Sequence, residues 1–167
     1  MQLSSGDTSR FRHLCRALKL LADAEPGARR VITALLSGWM ARVTPALSRP
    51  AFDDPDLSLA YHPAVEKFVD WLGTKDLLTG CFWLSSAYAF MVEKDQRKKQ
   101  AMYFTPPHLA NRLLKNAADQ LLKGAIVDPA CGGAAFLAPA AARILEKLER
   151  EGRSSKEILS HIEANLH

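Results

Sequence analysis

Cysteine is scarce in this chain, and its placement excludes two kinds of scaffold. Cys15, Cys81 and Cys131 are odd in number and far apart, which fits neither a disulfide framework nor a zinc site and suits a reducing cytosol. Long apolar runs are missing too. The greasiest stretch, residues 77–92, is interrupted by Thr79, Gly80, Ser85 and Ser86. It falls short of the roughly 20 apolar residues that a membrane span needs. The N-terminus is polar and has no secretory apolar core, and neither an internal repeat nor a low-complexity segment occurs. The expectation is a cytoplasmic globular chain with no membrane partner. Charge of one sign is only mildly in excess: the 167 residues carry a formal net charge of +4. That is compatible with a nucleic-acid partner without demonstrating one.

What is present is mostly helical patterning. Asp7 or Thr8 is placed to cap a helix running to about residue 24, with Phe11, Leu14, Cys15, Leu18 and Leu21 on one face. Its remaining surface carries Arg10, Arg12, Arg16 and Lys19, read either as a solvated face or as a phosphate contact. A second helix, to about residue 43, has Val31, Ile32, Leu35, Leu36, Trp39 and Met40 as its core stripe. Residues 44–56 hold three prolines and the acids Asp53, Asp54 and Asp56, an irregular solvated loop rather than a metal site. Pro63 starts a third helix that Gly73 stops. The fourth, about residues 75–94, is apolar on most sides and is expected to be the central helix of a bundle. Its Trp83 and Tyr88 are read as core rather than as base-stacking rings. A charged stretch then ends in Arg97, Lys98, Lys99 and Gln100, near DNA or simply solvated. The domain boundary is expected near Asp95.

The most informative stretch is residues 124–137, Gly-Ala-Ile-Val-Asp-Pro-Ala-Cys-Gly-Gly-Ala-Ala-Phe-Leu. Ala125, Ile126 and Val127 suit a short buried strand. Asp128 ends it, since Pro129 cannot continue a ladder. Gly132 and Gly133 open backbone angles closed to other residues, and Ala134 begins a new helical pattern. Strand, acid, glycine turn and helix start together describe a ligand site at the carboxyl end of a parallel strand. The amides of the helix start would attract a carboxylate or phosphate, and Asp128 an amine or hydroxyl. No Gly-Lys-Ser/Thr follows, so this is not a phosphate-binding P-loop, and no G-x-G-x-x-G marks a dinucleotide site.

The run 128–137 resembles the S-adenosylmethionine loop of adenine-N6 DNA methyltransferases, which usually reads Asp-Pro-Ala-Cys-Gly-Ser-Gly-x-Phe-Leu. Two positions depart. Gly133 stands for the usual Ser, and Ala134 for the usual second Gly, adding a methyl group where the backbone bends close to the ligand. Upstream, Tyr103-Phe104-Thr105-Pro106 resembles the aromatic-x-Thr-Pro segment of the same family. Thr105 is expected to cap a helix over residues 107–123, with Pro106 in its first turn. His108, in that first turn, is expected on the surface.

By this resemblance, Thr105 would lie near the cofactor carboxylate, and Tyr103 and Phe104 would wall the site. Asp128 would face the methionine amino group. Pro129, Ala130 and Cys131 complete the loop, and Gly132 and Gly133 would present main chain to the cofactor. Phe136 packs either near the cofactor or in the core. The expected fold is mostly α: a helical bundle over residues 1–95, then, over residues 96–167, the start of an α/β Rossmann-like methyltransferase domain. The implied cofactor is S-adenosyl-L-methionine. The implied partners are DNA and, in a restriction–modification system, a specificity or restriction subunit.

Pro139 predicts a kink or late start in the helix after the loop. Ser154-Ser155-Lys156-Glu157 resembles a capping box for a last helix carrying Ile158, Leu159, Ile162 and Leu166. The family's catalytic Asn/Asp-Pro-Pro-Tyr/Phe tetrapeptide, which holds a flipped base, does not occur in these residues. A second strand with a ribose-binding acid is not read before His167 either. The expectation is therefore part of a larger methyltransferase, with no catalytic residue of its own. An RNA methyltransferase and a non-catalytic helical DNA-binding module stand as alternatives.

Overall fold

The computed structural model describes residues 4–24, 27–43, 57–99, 105–117 and 120–167. They are mostly helical and fall into two compact units, one from residues 2–103 and one from residues 104–167. The acidic loop of Asp53, Asp54 and Asp56 lies outside the described residues.

The first unit holds α1 (Ser5–Ala24), α2 (Ala28–Val43), a short 3-10 turn (Leu57–Tyr61), α3 (Pro63–Leu72), α4 (Leu77–Met91) and α5 (Lys94–Lys99). The cap of α1 is Ser4, whose Oγ accepts the Asp7 amide at 3.0 Å. Asp7 and Thr8, the two expected caps, lie inside the helix: Asp7 pairs with Lys75, and the Thr8 hydroxyl donates to the Ser4 carbonyl at 3.2 Å. Asp76 caps α4, accepting the Thr79 amide at 3.0 Å. Two contacts tie the ends of α1 and α4: Asp7 meets Lys75 just before α4, and Lys19 Nζ donates to the Met91 carbonyl at 3.3 Å where α4 ends. The two helices therefore run side by side in the same direction.

α4 is not the central helix. α1 and α2 pack on each other and on both remaining long helices, whereas α4 borders only α1 and α2 closely. Sequence pattern misleads here because α4 is lined with small and apolar residues on nearly every side, and Leu77 alone among its large apolar residues is strongly exposed. Trp83, 3% exposed, belongs to an aromatic cluster: its ring lies 4.5 Å from Phe11 and 5.4 Å from Trp71. It is a core residue and not a base-stacking one.

The second unit contains α6 (Pro107–Asn116), α7 (Leu137–Arg150) and α8 (Ser155–Asn165). The capping box of α8 is present: Ser154 Oγ accepts the Glu157 amide, and the Glu157 carboxylate accepts the Ser154 amide. Its core joins Leu114, Leu121, Ala140, Ile144, Leu148 and Ile158. Arg143 Nη2 donates to the Asn111 carbonyl at 3.3 Å and holds α6 to α7.

α6 is shorter than the expected 107–123. Ala110 and Leu114 are buried, while Leu109 and Leu113 are exposed. His108 is exposed, as read from sequence. Among the described residues no strand of regular length forms. The expected strand at 125–127 is a single parallel bridge between Ile126 and Leu166.

Candidate functional site: the loop after Ile126

Three hydrogen bonds make that bridge. The Ile126 amide donates to the Asn165 carbonyl at 2.7 Å, the His167 amide to the Ile126 carbonyl at 2.9 Å, and the Asp128 amide to the His167 carbonyl at 2.7 Å. Ile126 thus straddles Leu166, the slanted pattern of a parallel pair, with α7 and α8 as the crossover that such a pair requires. Ile126 and Leu166 pack on the core of the unit. Val127 points away from it and is 66% exposed. A parallel strand is buried only when neighbours flank it and helices cover both faces. Here one short neighbour and one covered face account for a bridge in place of the expected buried strand.

Asp128 leaves the bridge half-buried. Its Oδ1 accepts the Ala130 amide at 3.1 Å, so the side chain itself folds the turn. Its Oδ2 has no hydrogen-bond partner among the described residues. Pro129, Ala130, Cys131 and Gly132 are exposed; Gly133 and Phe136 are half-buried. Gly132 sits at φ 49°, in the left-handed region that glycine tolerates. Ala134 does the same at φ 59°, the only non-glycine residue to do so among the described residues. The Ala134 amide donates to the Cys131 carbonyl at 2.7 Å and closes the turn.

The helix that follows starts late, at Leu137, with Pro139 inside its first turn. It offers fewer free amides than the sequence suggests. The Ala138 amide already donates to the Ala134 carbonyl at 2.9 Å, and Pro139 has none. What the loop holds out is instead a carboxylate with a spare oxygen beside exposed main chain. That set suits a ligand bearing an amine or hydroxyl groups.

Tyr103 and Phe104 lie outside the described residues. Thr105 is half-buried and is not a cap. Pro106 holds the cap position at ψ 142°, and α6 begins at Pro107 with no side-chain cap bond. The second proline explains this, because a residue that precedes proline is driven out of the helical region. No hydrogen bond joins Thr105 to the 128–134 loop among the described residues. The partner segment at Leu166 was missed by sequence reading, since two residues after a helix carry no alternation to detect.

The loop thus combines a short parallel pair, an acid at its carboxyl end and a left-handed turn into a helix. Residues 82–161 match the N-6 DNA Methylase family, and this segment is adenine-N6 DNA methyltransferase-like. The match begins at Phe82, inside α4, upstream of Tyr103, the first residue of the motifs that carry the sequence resemblance. Comparison with curated proteins and with solved structures gave no significant match. Among the described residues no helix is long and apolar enough to cross a membrane, and no group of acids, histidines and cysteines is arranged to hold a metal.

Proposed function

We propose that the loop from Asp128 to Phe136 binds S-adenosyl-L-methionine for methyl transfer to the N6 amino group of adenine in DNA. Residues 96–167 would carry the cofactor loop of the methyltransferase domain, and residues 1–95 would be its helical companion. The base-holding tetrapeptide would come from elsewhere in a restriction–modification enzyme, which also has a specificity or restriction subunit as its natural partner. The observation that carries this reading is Asp128 itself. One carboxylate oxygen shapes the turn through Ala130 at 3.1 Å, and the other is left for a ligand. In the transfer, the protein would contribute position and electrostatics to an in-line displacement at the sulfonium methyl.

Titration of the 15N-labelled chain with S-adenosylmethionine tests the site. The amides of Asp128, Gly132, Gly133 and Thr105 are expected to shift, with a dissociation constant on the order of 1 mM. Asp128→Ala should abolish the shifts. Saturating cofactor that leaves these four amides unmoved, or that moves another surface, would overturn the proposal. No methylation of DNA is expected from this polypeptide alone.

A further inference from the structure

We propose that α1 and α5 form one basic face of the first unit that binds the phosphate backbone of duplex DNA. Arg12, Arg16 and Lys19 stand at i, i+4 and i+7, on one side of α1. Arg12 and Arg16 are exposed, and neither has an ion-pair partner among the described residues. Lys19 shows where the stripe leads. Its Nζ reaches the Met91 carbonyl at 3.3 Å, and Met91 is followed after two residues by α5. There Lys94, Arg97, Lys98 and Lys99 face only Asp95 as an acid within the helix, and Lys98 and Lys99 are exposed.

On α1, Asp23 pairs with Lys19 and Asp7 with Lys75; Glu93 and Asp95 lie exposed beside the four cations of α5, so Arg12, Arg16, Lys98 and Lys99 carry the excess charge. From Arg12 to Lys19 the stripe is roughly 10 Å long, about three phosphate steps of one strand. A core-facing role is excluded, because the opposite face of α1 buries Phe11, Leu14, Cys15 and Leu18. The basic face stands on charge and geometry alone. The choice of DNA over other polyanions rests on the methylase reading of residues 82–161.

The experiment is fluorescence anisotropy of the full chain on a 30-base-pair duplex across salt. The unaltered chain should bind at low salt. Arg12→Ala/Arg16→Ala should lower the slope of log affinity against log salt by roughly 2 and weaken binding at least about tenfold at 0.1 M salt. Lys98→Ala/Lys99→Ala should act in the same direction. Leu20→Ala, on the same helix and 72% exposed, should leave affinity within about twofold, and circular dichroism should be unchanged in all three. No binding by the unaltered chain, an unaltered slope in the arginine variant, or an equal loss in Leu20→Ala would overturn the proposal. So would tighter binding to duplex RNA of the same length. Cofactor titration of the same samples separates the two readings: DNA binding without loop shifts removes the cofactor site and leaves this face standing.

Discussion

At the scale of single residues, Ala134 is where the described backbone carries strain. A left-handed φ of 59° on a residue with a Cβ costs about 1–2 kcal/mol relative to glycine's easy access. Ala134→Gly should therefore stabilise the second unit, by about 1 kcal/mol after the added freedom of the unfolded chain is subtracted. Slower hydrogen exchange of the Ile126 and Asp128 amides would register it; faster exchange would show that the methyl group makes a useful contact. Cys131 gives a second handle. It is exposed in the loop, whereas Cys15 is fully buried and burial lifts its thiol well above the usual range. Burial also raises Cys81. Because the thiolate is the reacting form, a maleimide should label Cys131 quickly and Cys15 only after unfolding. If the loop holds S-adenosylmethionine, the cofactor should slow labelling at Cys131.

At the scale of elements, close contact between α2 and α4 depends on Gly80. A Cβ there would stand 2.3 Å from Trp39 Cζ2 and 2.9 Å from its Cη2. The indole is rigid and 5% exposed, so it has nowhere to go. Gly80→Ala should cost about 1–3 kcal/mol or more. Trp39→Leu should recover much of that loss in the double variant, which chemical denaturation would measure. The cap of α4 sets a pH dependence. Burial works to raise the Asp76 carboxyl, but hydrogen bonds from the Thr79 hydroxyl and amide outweigh it and hold the group below its ordinary range. The Lys75 ammonium does the same to Asp7. A depressed carboxylate contributes stability that is whole above its unfolded pKa, and the contribution is lost as pH falls through the folded one. The first unit should therefore weaken progressively below about pH 4. Asp76→Asn should keep the cap and flatten this acid limb. Asp76→Ala should lose about 1 kcal/mol at neutral pH.

Legibility from sequence varied between elements for physical reasons. Pro63, Gly73 and the Ser154–Glu157 box act within one helical turn, and each marks its boundary as read. Thr105 was overruled by Pro107 two residues on. Ser4 caps α1, and Asp7 has a distant partner in Lys75, a contact that no local pattern displays. The turn after Asp128 was legible as a string of residues, but not the left-handed state of Ala134. The strand was legible as composition, yet its formation depends on neighbours that composition cannot supply.

At the scale of the whole molecule, the two units differ in how much they bury. The first has seventeen residues in its buried core and the second six, among the described residues, so the second should be the less stable. An isolated core in a unit of this size seldom supplies more than about 3–5 kcal/mol. The chain offers a clean way to see the difference, because Trp39, Trp71 and Trp83 are its only tryptophans and all lie in the first unit. Tryptophan fluorescence therefore reports that unit alone, while far-ultraviolet circular dichroism reports the helices of both. In urea, helical signal should begin to fall before fluorescence changes, and the early loss should correspond to α6, α7 and α8. Coincident curves would mean that the units unfold as one and that the second draws stability from the first. Gly80→Ala sharpens the test. It should shift the fluorescence transition to lower urea and leave the early helical loss where it was, since its contact with Trp39 belongs wholly to the first unit.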